Sequence, residues 1–334
     1  MTLNLKNKPK KLIIMSIISL DIGGTKIASA IFDYNGNMSH YNRNLIKGRT
    51  GHEVAEIATK LLNKLIVIAA RKEITIDCIG ICIPGIVYPN EGRVWVPNIP
   101  GWQRFPLLEV VKTNLINPSI PIFIESDRTC HLYGEFWQGA AKDCHSAVFV
   151  AVGTGIGMGI MIDNHLLHGA GDIIGASGWM ALQSPYSNEY DRCGCFEYYA
   201  SGNGISDRVK DLIRADKNYK GILRQKTIVR ISSHDVFAAL DECDPIAQTV
   251  ISKAVEMWGM AAANIVSLLN PQKIIWGGGV FGPATKLIPE IYKESSKWAQ
   301  PVGIKQVTFE ESLLQGNAGL YGAGYLAIKS LENN

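Results

Sequence analysis

The sequence predicts an α/β protein of two related halves that face each other across a cleft. Two observations carry that prediction. An apolar run over Ser16–Leu20 turns polar at Asp21 and ends in the turn Gly23-Gly24-Thr25. About 130 residues further on, Ala147–Val152 runs into Gly153-Thr154-Gly155-Ile156-Gly157 and resumes as an apolar strand, so the same unit occurs twice. A third observation fixes the class: the first half reads β-β-β-α-β, the order of a mixed-sheet α/β domain. Glycines in both turns let backbone N–H groups approach an anion without an intervening Cβ.

Taken in order, Ile27–Phe32 continues the first turn as a strand, and Asp33–Asn37 carries a hairpin signal. Met38–Leu45 completes an antiparallel meander. Val54–Ala70 has apolar residues at helical spacing, and Ile76–Ile83 is a buried strand ending in Pro84-Gly85. Ile86–Phe105 reads as a loop-rich segment, with Trp95 and Trp102 offering apolar surface near polar groups. Pro106–Leu115 is a helix and Pro121–Ile124 a short strand. Asp127 follows that strand end, where α/β folds place chemistry; it equally suits the N-cap of a helix over Arg128–Trp137.

Met158–Ile162 is a strand, and His165–Gly171 a glycine-bearing loop. Phe196–Ser201 begins a helix, and Arg208–Lys226 reads as a polar, charged, poorly periodic stretch that includes a surface excursion. Asp244-Pro245 starts a helix reaching about Asn270. Lys273–Trp276 is a strand ending in Gly277-Gly278-Gly279, which suits either a planar ligand or core packing. Asn317–Leu331 closes the chain as a helix whose Gly319, Gly322 and Gly324 give one small-residue side.

At 334 residues, nearly half of them hydrophobic, the chain can build two cores. Its net charge of +3 is spread along the sequence, which argues against a nucleic-acid surface. The basic cluster Lys6–Lys11 lies in residues 1–14, expected to be a disordered leader, with Met15 a second plausible start. No signal peptide is expected, because the run Leu12–Leu20 is short and meets Asp21 without a small-residue cleavage site. No stretch reaches the roughly 18 apolar residues of a membrane span. The seven scattered cysteines read mostly as small core residues of a reduced, cytoplasmic protein.

These segments together resemble the ROK family of sugar kinases and sugar-responsive repressors, within the actin-like ATPase superfamily. SLDIGGTKIASAIFD is similar to its first phosphate motif, and GICIPGIV and VPNIPGW to its sugar-side loops. IESDRTCHLYGE resembles the segment of the catalytic aspartate. VAVGTGIGMGIMIDNHLLHGAGDIIG resembles the second phosphate motif and signature, IIWGGGV the adenosine motif, and GNAGLYGAGYLA the closing helix.

The resemblance implies two ribonuclease-H-like domains with ATP, Mg²⁺ and a sugar between them. A smaller domain over 16–125, with helix 317–331 packing back on it, would face a larger domain over 126–316. Asp127 matches the general base, and Asp21 the carboxylate that holds Mg²⁺ through water. Gly23, Gly24, Thr25 and Lys26 match the first phosphate turn; Gly153, Thr154 and Gly155 match the second. Gly277, Gly278 and Gly279 match the adenosine cradle. Gly85, Asn98, Ser126 and Glu197 fall among the sugar contacts, with Ser126 where asparagine is usual. The implied reaction is hexokinase-like phosphorylation of a sugar or sugar-derivative hydroxyl, the 6-hydroxyl, by a homodimer.

Departures from the pattern bear on the substrate. The family's Glu-x-Gly-His segment reads Ala176-Ser177-Gly178-Trp179 here. Its zinc loop reads NEYDRCGCFE, so Asn188 and Tyr190 stand at cysteine positions and only Cys195 fits. No structural zinc is expected; a rescue set of Cys193, Cys195 and His168 is the alternative. Trp179 is expected to fill the vacated volume or else stack on the sugar. Losing the glutamate withdraws an acceptor for sugar hydroxyls, so glucose or N-acetylmannosamine specificity does not carry over. A repressor is disfavoured, because about 15 residues before the first strand leave no room for a winged helix-turn-helix. A non-catalytic sugar or nucleotide sensor remains the alternative to the kinase.

Overall fold

The computed structural model describes residues 15–46 and 48–332. The expected leader and its basic cluster lie outside the described residues.

The first half is built from β1 (Met15–Ile22), β2 (Lys26–Asp33), β3 (Met38–Leu45), α1 (Gly51–Arg71) and β4 (Thr75–Ile83). Next come β5 (Ile86–Tyr88), β6 (Arg93–Trp95), α2 (Leu107–Asn114) and β7 (Ile122–Ser126). The second half has α3 (Asp127–Gln138), β8 (Ala147–Val152), β9 (Ile156–Ile162), β10 (His165–Leu166), α4 (Cys195–Ala200) and α5 (Gly202–Ala215). It continues through α6 (Ser233–Asp241), α7 (Pro245–Leu269), β11 (Lys273–Gly277), α8 (Ile288–Ser295), β12 (Thr308–Glu311) and α9 (Ala318–Glu332).

Among the described residues the strands form two five-stranded sheets of one plan, β3-β2-β1-β4-β7 and β10-β9-β8-β11-β12. In each, an antiparallel meander is extended by two parallel strands. The central strands are apolar on both faces because helices or loops cover both: Ile17, Ile18, Leu20 and Ile22 are all fully buried. Edge strand β3 instead alternates partly buried and exposed residues over its first half. One core joins the first sheet to α1 and α2, including Leu62 and Trp102. The other joins the second sheet to the helices on its face, including Trp258 and Trp276.

Several expectations need correction. Ile86–Phe105 is loop-rich over residues 96–104, but it also carries a small antiparallel ribbon of β5 and β6, with a bridge from Val94 to Phe105, that had no reading in the sequence. Arg208–Ala215 is no excursion: it is the second half of α5, which buries Val209 and Ile213 four residues apart. Residues 219–222 are tied down by buried Asp244. Its Oδ2 accepts hydrogen bonds from Tyr219 Oη at 2.5 Å and Ile222 N at 3.1 Å, while Oδ1 caps α7 through Ile246 N and Ala247 N. That paired aspartate is not visible as periodicity. The N-cap of α3 is Ser126, and Asp127 is the first helical residue, so its carboxylate is not consumed as a cap. Helices α6 and α8 and strand β12 carry no reading in the sequence.

Helix α9 returns to the first sheet and lies on β1 and β4, with α3 against its other side. Small residues let these backbones touch. A Cβ at Gly80 would collide with the Ala323 carbonyl, one at Gly134 with the Ala318 carbonyl, and one at Gly322 with the Cys130 carbonyl. Buried Glu135 on α3 fastens the approach to α9, accepting from Ser312 Oγ at 2.5 Å, Leu314 N at 3.2 Å and Ala140 N at 2.7 Å. Gly322→Ala is expected to destabilise the protein by about 1–3 kcal/mol or more, because the obstructing atom is backbone. Gly282→Ala, where the nearest atom to an added Cβ is 3.9 Å away, should stay within about 0.5 kcal/mol. Urea unfolding midpoints of the two variants check this.

Candidate active site

β1 and β8 deliver the two glycine turns to one cleft of ≈480 Å³. In the first turn, Gly23 N donates to Lys26 O at 2.8 Å, which leaves Gly24 and Thr25 exposed at the tip. In the second, Gly153 N donates to Gly155 O at 2.9 Å, and Thr154 is exposed. The N-terminus of α5 lies under the second turn, with Gly202 N donating to Gly153 O at 2.8 Å and Asn203 N to Thr154 O at 3.4 Å. Its dipole adds positive potential beside that turn.

Asp21, Gly23, Lys26, Asn98, Asp127, Gly153, Thr154, Gly155, Glu197, Gly278 and Gly279 all line the cleft. Added Cβ atoms at Gly153, Gly279 and Gly316 would meet nothing within 4 Å, so these walls are bare backbone facing open space. Trp102 fixes the loop that carries Asn98: it is fully buried, stacks on Phe105 at 5.1 Å, and donates from Nε1 to Gly51 O at 2.9 Å.

The remaining candidate residues stand elsewhere. Gly24 and Thr25 sit at the turn tip, and a Cβ at Gly24 would lie 3.1 Å from the Asn98 Cβ. Gly85 lets β6 approach, since a Cβ there would collide with the Trp95 carbonyl. Ser126 is buried and points its Oγ at Thr129 Oγ1, 3.3 Å away. Gly277 makes room for the Phe149 ring, and Gly278 has φ +89° with Val152 behind it. Of the three glycines, Gly278 and Gly279 line the cleft.

Two cleft residues carry no reading in the sequence. His131 follows Asp127 by one helical turn and lines the cleft; its Nδ1 is shielded from solvent and has no hydrogen-bond partner among the described residues. Its spacing of four from Asp127 was the available signal. Arg128 donates to the backbone carbonyls of Asp172 at 3.2 Å and Ile174 at 2.9 Å, pinning that loop to the start of α3.

Burial pushes the Asp127 carboxyl above its usual range, against the pull of His131 and Arg128. Burial likewise raises Asp21, opposed by His131 and a hydrogen bond from Cys82, while Asp127 adds to the rise. Glu197 is also raised by burial, although its Oε2 accepts from Ile156 N at 2.7 Å. The arrangement can thus place a desolvated carboxylate base opposite two backbone-walled turns.

The model of the ROK family matches residues 17–330. The chain belongs to the ROK family. It is 26% identical over 321 residues to a glucokinase of Halalkalibacterium halodurans, covering 95% of this chain and 96% of that one. It is also 26% identical to a xylose repressor of Caldicellulosiruptor bescii, covering 95% of this chain and 79% of the repressor. A ROK glucokinase from Streptomyces griseus, solved with glucose and AMPPNP, superposes with a TM-score of 0.75 at 26% identity, over 94% of this chain and 99% of that one. The fold is therefore that of two actin-like ATPase domains facing a cleft. The relatives include both sugar kinases and repressors.

At the ROK zinc-loop positions the structure corrects one expectation. Trp179 is 58% exposed and does not fill the region. Tyr190 does: it is buried, its Oη lies 3.0 Å from Tyr199 Oη, and its ring packs edge-on against Tyr198 at 5.3 Å. His168 does not join Cys193 and Cys195; it pairs with Asp172 at 3.0 Å. Cys243 is exposed, whereas Cys78, Cys82, Cys130, Cys144 and Cys195 are buried.

The raised carboxyl of Asp127 carries a stability consequence. A carboxyl whose folded pKa lies above its unfolded value is most unfavourable ionised, so the penalty is present at neutral pH and disappears as pH falls through the folded pKa. Asp127→Asn is expected to melt above the wild type at neutral pH, with the gap closing on acidification. Differential scanning calorimetry across pH checks it.

Proposed function

We propose that this ROK protein is an ATP- and Mg²⁺-dependent kinase of a sugar or sugar derivative, phosphorylating the 6-hydroxyl. One observation carries the reading. Asp21 and Asp127, about 100 residues apart in the chain, converge on one cleft with both glycine turns. The bare walls at Gly153, Gly279 and Gly316 fit the nucleotide, and the Asp21 carboxylate fits a hydrated magnesium ion.

When bound, Mg-ATP supplies the transferable phosphoryl group and the charge that offsets its oxygens. Asp21 would hold the metal ion through its water. The turns at Gly23–Thr25 and Gly153–Gly155 present backbone N–H groups to the phosphates, and Lys26 adds a positive charge. Gly278 and Gly279 form the adenosine side, with Gly277 packed against Phe149 beside them. Asn98, Glu197, the turn at Gly85 and Ser126 at the end of β7 hold the sugar. Asp127 takes the proton from the sugar hydroxyl as that oxygen attacks the γ-phosphorus and the bond to the bridging oxygen breaks, its electron pair leaving with ADP; the low-dielectric setting that raises the Asp127 pKa makes it a stronger base than an exposed aspartate. Closure of a lobe over 16–125, with helix 317–331, against a lobe over 126–316 excludes water as a competing nucleophile. The kinase is read as a cytoplasmic homodimer without nucleic-acid partners. Among the described residues no helix is long and apolar enough to cross a membrane.

A second reading, a non-catalytic sugar or nucleotide sensor, is favoured by Ala176 and exposed Trp179 at the positions of the usual glutamate and histidine. ATP turnover over a panel of sugars separates the two. A kinase turns over at least one, and Asp127→Asn lowers its kcat by about 10²–10⁴-fold; a sensor shows calorimetric sugar binding with no turnover, and undiminished turnover in Asp127→Asn removes the base assignment.

The pH profile gives a further check. Asp127 acts ionised and its pKa is raised, so activity fails on acidification sooner than an ordinary aspartate would allow. The acid limb of kcat/KM is expected above the usual aspartate range, and in Asp127→Asn that limb should vanish from the residual rate.

A further inference from the structure

A second cavity, of ≈500 Å³, opens beside edge strand β7, outside the cleft. Glu125, His168 and Asp172 line it together with apolar Val87, Leu108 and Leu326. One ligand atom from each of the three polar residues lies within 4.8 Å of the others. His168 Nδ1 is 3.0 Å from Asp172 Oδ1 and 3.9 Å from Glu125 Oε2. Glu125 is only 9% exposed, and Ser126 N holds its Oε1 at 2.7 Å.

An independent observation points to a missing partner. Asp172 Oδ2 is sealed from solvent and has no hydrogen-bond donor among the described residues. A shielded carboxylate oxygen left unpaired is unfavourable, and a second buried carboxylate beside it makes the site short of positive charge. His168 alone offers one ring nitrogen to both acids.

We propose that Glu125, His168 and Asp172 bind a divalent cation of the zinc or manganese class. The donor set selects the class: the imidazole nitrogen suits zinc, the two carboxylates suit manganese as well, and a site with a nitrogen ligand is a poor match to magnesium or calcium, which take oxygen throughout. Metal–ligand distances of about 2.0–2.2 Å place neighbouring ligand atoms roughly 3.4 Å apart in a tetrahedron, and the 3.0 and 3.9 Å separations from His168 Nδ1 to Asp172 and Glu125 lie on either side of that value. Half-exposed His168, on a loop, supplies the adjustment between them. Three protein ligands leave at least one coordination position for water or a cavity ligand.

The ion joins the loop after β10 to the edge strand of the other sheet, two residues before Asp127. Arg128 already ties the same loop to α3 through the Asp172 carbonyl. The site is thus a clasp between the two halves, and it stands independently of the kinase reading.

The test uses the full chain, stripped with chelator and titrated calorimetrically with Zn²⁺ alone and with Mn²⁺ alone, with bound metal counted after desalting. One ion per chain is expected. Affinity should fall at least about 100-fold in His168→Gln and in Asp172→Asn, and stay unchanged in Cys193→Ser. Absence of saturable binding by the wild type overturns the proposal. So does binding that survives both His168→Gln and Asp172→Asn, and so does binding lost in Cys193→Ser, which would put the ion among the cysteines. Circular dichroism shows that each variant scored is folded.

Discussion

The contact between α3 and α9 is the constraint on which the rest depends. The two helices meet backbone to backbone, because Gly134 and Gly322 each face a carbonyl of the other helix. Gly80 admits α9 equally closely onto β4. The same helix brings Gly319 beside β1, where a Cβ would lie 3.0 Å from Asp21 Oδ2. One packing arrangement therefore sets the position of Asp127, at the start of α3, relative to Asp21, at the end of β1. Glu135 reinforces the arrangement, since its buried carboxylate is saturated by donors from the chain leading into α9.

Around this pivot the two sheets repeat one topology, and each presents a glycine turn to the cleft. The glycines nevertheless serve different ends. Some expose bare backbone to the cleft, as at Gly153 and Gly279, while others admit a neighbour, as Gly277 admits Phe149. Two desolvated carboxylates in one cleft would repel each other, and His131 moderates both. Burial of the Asp127 carboxyl leaves a folded state that holds its charge unwillingly.

The segment from Asp172 to Tyr199 is held by a different kind of contact. Arg128 braces the loop that precedes Ala176, and Tyr190 packs the ring cluster where a metal ligand would stand. This segment is shaped by aromatic packing and a guanidinium brace.

Much of the fold was legible in the chain. Strand and helix periodicity, the hairpin at Asp33–Asn37 and the cap at Asp244-Pro245 are short-range effects, and each located its element within a few residues. The two glycine turns and Asp127 after a strand were legible for the same reason. What escaped was held by partners distant in sequence: the ribbon of β5 and β6, the α5 face that buries Val209, and β12 on the sheet edge. His131, Arg128 and the set Glu125, His168 and Asp172 belong to that second kind. The sequence by itself determined which segments become strands, turns and helices, since neighbouring side chains and backbone sterics decide that locally. Only the tertiary structure decided which side chains meet, because that follows from how closely glycine-lined helices pack, and closeness is a property of both partners at once.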